Sequence, residues 1–184
     1  MKKNILTLLL ALTFGFMGVH ANAQKDPMVG GAAMYPTKNI VENAVNSKDH
    51  TTLVAAVKAA GLVDTLEGPG PFTVFAPTNE AFAALPAGTV DTLLKPENKP
   101  TLVKILTYHV VPGALTTHDL KKMIKQGGGK AELKTVQGGT LTVSMKDGKY
   151  TLTDEKGGTA MITIPNVIQS NGVIQVINAV LMPN

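Results

Sequence analysis

The most informative gap in this 184-residue sequence is its complete lack of cysteine. Without thiols the chain can form no disulfide, no thiolate metal site and no cysteine nucleophile. It also offers no attachment point for a bacterial lipoprotein anchor. Stability must therefore come from packing, and the chain is long enough to bury the core of one domain.

Arginine and tryptophan are missing as well. All 17 basic residues are lysines, whereas specific recognition of phosphates or guanine bases depends strongly on the bidentate guanidinium of arginine. With 3 tyrosines and no tryptophan, the chain has few aromatic rings on which bases or sugars could stack. We therefore expect no nucleic-acid partner, and the composition gives little support to a stacked-sugar site.

The sequence patterns of common enzymes are also absent. The histidines show no HExxH spacing and have no acidic cluster beside them, so we predict no metal and no cofactor. Gly127–Lys130 lacks the upstream glycine of a phosphate-binding loop, and Gly68–Gly70 lacks the third glycine of a dinucleotide-binding pattern. No serine stands in a GxSxG elbow. A serine or threonine activated by His109 across the fold is an alternative without positive support.

The N-terminus has the features of a secretory signal. Lys2 and Lys3 form its positive region, Ile5–Val19 forms an apolar core, and Ala21–Ala23 supplies a small-x-small cleavage site. A membrane anchor is the alternative, but the apolar run is short for a bilayer span. We predict a signal peptide over residues 1–23, cleavage near Ala23, and a secreted or periplasmic product without an integral membrane anchor.

The mature chain is predicted to contain a flexible leader and one domain. Residues 24–37 show no sustained periodicity, and the domain is expected to cover residues 38–184. Apolar residues recur at helical spacing through its first half. After Gly129 they alternate with polar residues, and Asp147–Gly148 and Gly157–Gly158 indicate hairpin turns. Helices followed by hairpins predict an α+β fold.

Three separated segments are the most specific feature of the sequence: Thr73–Phe82 (TVFAPTNEAF), Leu106–Gly113 (LTYHVVPG) and Asn171–Pro183 (NGVIQVINAVLMP). Their order and spacing resemble the signature of the fasciclin-like domain family. That family comprises secreted modules of cell-adhesion and extracellular-matrix proteins, and single-domain exported proteins of bacteria. The resemblance implies an antiparallel β-wedge or sandwich flanked by several α-helices. No segment is repeated, which indicates a single module.

The Tyr108–His109 pair is the leading candidate for a binding site. If the preceding helix continues, His109 lies on its apolar face. A structural role is then favoured, because a buried polar group without a partner costs on the order of a few kcal/mol. The resemblance implies a second role, in contacts with cell-surface receptors, for the pair together with Val110 and Val111. Both roles are compatible if the pair shapes an exposed patch nearby.

The first and third segments are predicted to be mainly architectural. Phe75 and Phe82 should pack in the core, and Thr78 should cap the helix that follows it. The residues to which we assign structural roles are Thr73, Phe75, Pro77, Thr78, Asn79, Phe82, Asn171, Gly172, Gln175 and Asn178.

Two of these residues depart from the pattern of the family. Gln175 and Asn178 stand where its members usually carry His and Asp, so both positions have a neutral amide in place of an ionisable group. The strand that contains Gln175 is apolar on both faces, which is typical of a central strand. We therefore expect both amides to be enclosed and paired, and the Asn178 site to titrate less than in an Asp-bearing relative.

The resemblance implies a non-catalytic adhesion or binding module. Its expected partner is a cell-surface, matrix or envelope protein or polysaccharide, whose identity the sequence does not give. A single module lacks the multivalency of tandem copies, so it must bind tightly alone, oligomerise or bind weakly. Two alternatives are an envelope hydrolase of ester or glycan linkages with His109 as the base, and a carrier of a small apolar ligand between the helices and the sheet.

Overall fold

The structure, a computed structural model, describes residues 26–184. The predicted signal peptide and its cleavage site lie outside these residues. Within the described range, no helix combines the length and the apolar character that a bilayer span requires.

Seven α-helices occur between residues 40 and 126, which agrees with the helical periodicity of the sequence. Their bounds are α1 Ile40–Ala44, α2 Thr51–Ala60, α3 Val63–Glu67, α4 Asn79–Ala83, α5 Thr89–Leu93, α6 Lys99–Tyr108 and α7 Thr117–Gln126. Local signals fix their ends. Asn39 and Glu42 form a capping box at the start of α1, and Gly61 ends α2 in a left-handed conformation at φ +71°.

Nine strands accompany these helices in the described part of the chain. They are β1 Met28–Val29, β2 Ala32–Ala33, β3 Phe72–Pro77, β4 Val110–Pro112, β5 Lys130–Lys134, β6 Thr140–Lys146, β7 Lys149–Thr153, β8 Thr159–Gln169 and β9 Gly172–Ile177. The hairpin predicted at Asp147–Gly148 joins β6 to β7, and both of its residues have positive φ. The α+β prediction is confirmed.

Seven of the strands form one sheet in the order β4-β3-β9-β8-β7-β6-β5. The meander from β5 to β9 is antiparallel, as predicted, but β3 and β9 run parallel. The two edges of the sheet approach each other, because the Val136 N–H just after β5 donates to the Val110 carbonyl in β4 at 2.8 Å. The sheet is therefore a near-barrel, more closed than the expected wedge.

Apolar side chains pack against both faces of this sheet. The interior of the near-barrel contains Phe75, Leu141, Leu152 and Ile177, all fully buried. The opposite face of β3 and β9 packs against helices α1, α2, α3 and α6. Every residue of β9 is consequently buried, which explains its nearly continuous apolar sequence.

Residues 26–37 pack against the domain, and here the structure corrects the expectation of a flexible leader. Strands β1 and β2 form a small hairpin, and Val29 and Met34 are buried. The amide oxygen of Asn43 accepts the Tyr35 N–H at 3.1 Å, and its amide nitrogen donates to the Tyr35 carbonyl at 2.8 Å. The Asn43 side-chain amide thus satisfies both backbone groups of Tyr35, as the backbone of a neighbouring strand would.

Candidate functional site

The four candidate contact residues of the second signature segment lie inside the protein. Tyr108 is fully buried, His109 is 3% exposed, and Val110 and Val111 are buried beside them. Their burial favours the structural role predicted from the helical spacing over a direct contact. Helix α6 ends at Tyr108 and β4 begins at Val110, so the pair forms the join between helix and sheet.

Both ring nitrogens of His109 take part in hydrogen bonds. Nδ1 lies 2.9 Å from the Ile105 carbonyl, and Nε2 accepts the Leu181 N–H at 3.0 Å. This network assigns the proton to Nδ1 of a neutral ring. Burial lowers the pKa of His109 to about 4, against smaller opposing effects of the Ile105 carbonyl and Asp154. With both nitrogens engaged, His109 is not placed to act as the base of a hydrolase.

Tyr108 connects the end of α6 to β6 and to the turn after β7. Its hydroxyl donates to the Thr140 carbonyl at 2.8 Å and accepts the Glu155 N–H at 3.1 Å. Burial raises the pKa of Tyr108 to about 12, so the phenol keeps the proton that it donates. Tyr108 therefore holds β6 and the turn after β7 against the end of α6.

The chain after β9 is fixed by two carboxylates that sequence reasoning missed. Asp154 accepts the Met182 N–H at 2.9 Å and also the Gly158 N–H at 2.7 Å. Glu155 accepts the Asn184 N–H at 3.2 Å. The available signal was an acidic residue just before the Gly157–Gly158 turn, which is typical of a side chain that binds turn amides.

Thr73, the first residue of the first signature segment, links β3 to the loop after β4. Its hydroxyl donates to the Gly113 carbonyl at 2.6 Å and accepts the Leu115 N–H at 2.8 Å. Thr73 is fully buried, so both of these bonds are shielded from water. The side chain thereby holds the loop after β4 against β3.

The corner after β3 has the predicted architectural form. Phe75 and Phe82 are buried, and Pro77 is the buried last residue of β3. The Thr78 hydroxyl caps α4 by accepting the Ala81 N–H at 3.3 Å.

Asn79, which follows this corner, binds the chain around the start of α2. Its amide oxygen accepts the Thr52 N–H at 3.0 Å, and its amide nitrogen donates to the Lys48 carbonyl at 2.8 Å. The residue thus ties the β3–α4 corner to α2, which agrees with an anchoring role.

Asn171 and Gly172 hold the start of β9 against the helices and β3. The Asn171 amide accepts the Ile40 N–H at 3.0 Å and donates to the Leu66 carbonyl at 2.7 Å. A Cβ atom at Gly172 would clash with the backbone carbonyl of Phe72. Only glycine therefore permits the close approach of β3 and β9 at this point.

Gln175 is enclosed and paired, as predicted. It is fully buried, and its amide oxygen accepts the Asn166 N–H at 2.9 Å. Its amide nitrogen donates to the Leu115 carbonyl at 3.0 Å and to Asn166 Oδ1 at 3.2 Å. A neutral amide thus supplies both the donors and the acceptor that this buried position needs.

Asn178 is exposed, which corrects the expectation that it is enclosed. Strand β9 ends at Ile177, and the chain turns out of the sheet at the next residue. The Asn178 side chain nevertheless accepts the Met161 N–H at 2.7 Å. It ties the end of β9 to β8 from the surface, where its chemical identity is less constrained.

Exposed Val136 and half-buried Gln137 lie at the surface beside the Tyr108–His109 pair, and we call these two residues the Val136 patch. Val136 is 46% exposed. Its N–H donates to the Val110 carbonyl at 2.8 Å, and the Gln137 N–H donates to the Thr107 carbonyl at 3.3 Å. The backbone on either side of the buried pair therefore positions an exposed apolar side chain.

An apolar cavity of about 80 Å³ lies between α2 and the helix-facing side of the sheet. Ser47 and His50 line it together with apolar side chains of α2, β3 and β9. His50 Nδ1 is 2.9 Å from Ser47 Oγ, whereas Nε2 has no hydrogen-bond partner among the residues that the structure describes. Burial lowers the pKa of His50. Residues 26–184 contain no group of three or more His, Asp or Glu side chains placed to hold a metal ion.

Comparison with known proteins identifies both sequence and fold relatives. The model of the family described as "Fasciclin domain" matches residues 48–183. "Protein sll1483" of Synechocystis sp. is 49% identical over 160 residues, which cover 87% of this chain and 82% of that protein. "Cell surface glycolipoprotein MPB83" of Mycobacterium bovis is 34% identical over 167 residues, which cover 90% of this chain and 64% of that protein.

A solved structure has the same fold. The FAS1 domain pair from the insect cell adhesion molecule fasciclin I matches with a TM-score of 0.71. The match covers 79% of this chain and 51% of that chain, at 19% sequence identity. At this identity the likeness concerns the fold alone.

Proposed function

The chain belongs to the fasciclin domain family, and we propose that it is an exported module that binds a cell-surface, matrix or envelope component. The family consists of adhesion and binding modules and is generally non-catalytic. The protein or polysaccharide partner and the place of binding are part of this proposal, because fold alone does not determine function.

The observation that supports the proposal is the set of hydrogen bonds that the signature residues Tyr108 and His109 form. Tyr108 and His109 direct their polar atoms to backbone groups of the fold, so they support a shape and supply no free reactive group. Val136 is an exposed residue next to this support, and its backbone is bonded to β4. We infer that the Val136 patch is part of the contact surface.

The name of a similar protein supports a role at the cell surface. This relative, 34% identical over 167 residues, is called a cell surface glycolipoprotein. The present chain carries one such domain, so an adhesive contact depends on the strength of a single site or on oligomerisation.

The test is a binding assay with protein exported from the full-length chain. The labelled protein is added to intact cells, isolated envelope and candidate matrix polymers. Val136→Glu is compared with Val45→Glu, because Val45 is an equally apolar surface residue with 49% exposure that lies elsewhere, at the end of α1. Circular dichroism checks that both variants fold.

We expect saturable binding by the wild type and by Val45→Glu, and binding at least about tenfold weaker by Val136→Glu, since a charge buried at an interface is costly. Failure of the wild type to bind any of these surfaces would overturn the proposed function. Equal binding by both variants would show that the Val136 patch is not part of the contact surface, without contradicting the proposed function.

A further inference from the structure

We propose that the cavity beneath α2 is a binding site for a slim apolar molecule with one neutral hydroxyl or carbonyl group, which pairs with His50 Nε2. This site differs from the surface contact proposed above, because its ligand would lie between the helices and the sheet. Val136 is also one of the residues that line the cavity, so the two sites are adjacent there.

The shape of the cavity indicates a narrow occupant. Its lining extends from His50, just before α2, to Lys58 within α2, and eight residues at a rise of about 1.5 Å correspond to about 12 Å. The volume of about 80 Å³ is about half that of an engineered apolar cavity of about 150 Å³ that binds benzene. A single alkyl chain fits these dimensions better than a ring system.

The walls of the cavity favour an apolar body. Leu53 and Val57 of α2 line it together with Val74 of β3 and Ile174 of β9. Each methylene group that enters such surroundings gains the free energy of leaving water. The lining has few polar atoms, so an occupant with several polar groups would leave most of them without partners.

His50 marks the position of the one polar group. The side chain is only 3% exposed, and Ser47 engages Nδ1 alone. The Ala76 carbonyl interacts with the ring and raises the pKa of His50, but this contact lacks the geometry of a full hydrogen bond, so Nε2 has no well-formed partner among the described residues. A buried ring nitrogen that lines an apolar cavity without a partner is rare in folded proteins, and a ligand hydroxyl or carbonyl would satisfy it.

The charges near His50 favour a neutral group over a carboxylate. Asp49 and Glu80 act on the imidazole with negative charge, and the same charges would repel an anionic head group. Burial in an apolar cavity further disfavours any ionised group. A hydroxyl can pair with either tautomer of the ring, because it both donates and accepts.

The experiment compares two probes of equal chain length, 1-octanol and octanoate, by calorimetric titration of the exported protein at neutral pH. We expect one molecule of octanol per chain and binding of octanoate at least tenfold weaker. Absence of octanol binding would overturn the site. Equal affinity for both probes would overturn the assignment of the polar group to His50.

Two variants of α2 locate the binding. Val54 lines the cavity and Ala55 is exposed beside it, so Val54→Phe should abolish octanol binding while Ala55→Phe leaves it unchanged. Equal binding by these two variants would show that octanol binds elsewhere and would overturn the proposal.

His50→Phe keeps an apolar ring of similar size and should weaken octanol binding about tenfold, with circular dichroism as the check of folding. Unchanged affinity in folded His50→Phe would contradict the hydrogen bond. If this variant does not fold, the comparison of octanol with octanoate in the wild type decides the point.

Discussion

The Leu181 N–H donates to His109 Nε2 over 3.0 Å, so a single neutral imidazole joins the chain after β9 to the end of α6. The ring can do this only while Nε2 is unprotonated, because an imidazolium has no acceptor. Its other nitrogen is engaged by the Ile105 carbonyl. The bond between these two residues therefore makes the stability of the fold sensitive to acid.

We predict that the free energy of unfolding falls as the pH drops from about 6.5 towards 4. The pKa of His109 is about 4 in the folded protein and about 6.5 in an unfolded chain. Between these values the unfolded state binds more protons, so acid favours unfolding, by up to about 3 kcal/mol. The lowered pKa of His50 acts in the same direction.

Urea denaturation at several pH values between 7.5 and 4.5 measures this effect. In His109→Gln, which has no titrating group at this position, the dependence on pH should be weaker. The same pH dependence in wild type and variant would contradict the assignment to His109.

Gly172→Ala should destabilise the protein by about 3 kcal/mol or more, because the added Cβ meets the rigid carbonyl of Phe72 in the neighbouring strand. Gly88→Ala is a suitable control. Gly88 has a positive φ of +79°, which Gly172 does not share, but a Cβ there meets no atom within 4 Å, so the cost should be only about 1 kcal/mol. Thermal and urea denaturation provide the comparison, and a loss in Gly172→Ala no larger than that in Gly88→Ala would contradict the clash with Phe72.

Asn43→Ala should release the segment that contains β1 and β2. The variant loses both amide bonds to Tyr35 and a third to Gln169, for a cost of about 2 to 3 kcal/mol. Hydrogen exchange should then increase at residues 28–35. Asn46→Ala is the matched control, because exposed Asn46 makes one local bond to the Glu42 carbonyl. Unchanged exchange in Asn43→Ala would mean that burial of Val29 and Met34 suffices to hold the segment.

Gln175→Glu and Asn178→Asp introduce the same charge with different expected results. At Gln175 a carboxylate would be fully buried and would face the Leu115 carbonyl and Asn166 Oδ1 as a third acceptor. We expect a loss of about 3 kcal/mol or more at pH 7. Such a carboxyl has a raised pKa, so part of the loss should be recovered as the pH falls and the group protonates.

Asn178→Asp should change stability by less than about 0.5 kcal/mol, since the site is exposed and the new oxygen can still accept the Met161 N–H. Denaturation of both variants at pH 7 and pH 5 tests the pair of predictions. A large effect of Asn178→Asp would restore the enclosed role that its position in the sequence suggested.

Features determined by neighbouring residues were predictable from the sequence. Thr78 stands three residues before the amide that it caps, and Asp147–Gly148 forms a turn through its own backbone preferences. The parallel pairing of β3 with β9 was not predictable in this way, because it joins Phe72 to Gly172 and no local pattern specifies the partner of a strand.

In the candidate site, too, features that depend on neighbouring residues were predictable, and contacts with distant residues were not. Helical spacing placed His109 on an apolar face, and the structure agrees. That its second nitrogen meets Leu181 depends on a chain segment 72 residues away. Asn178 was predicted to be enclosed because an apolar run continues past it, whereas the strand ends one residue earlier. His50 has no sequence pattern around it that indicates a ring nitrogen without a partner.

The central position of β9 has a consequence for the order in which the protein can form. Strand β9 follows the other described strands along the chain and inserts between β3 and β8, so the meander and the β3–β4 pair are not joined by a central strand until it arrives. Pairings between residues so distant in sequence are slow to form. A nascent chain that has not yet released β9 therefore cannot complete its sheet, and the exposed edges of β3 and β8 need protection from aggregation until β9 is in place.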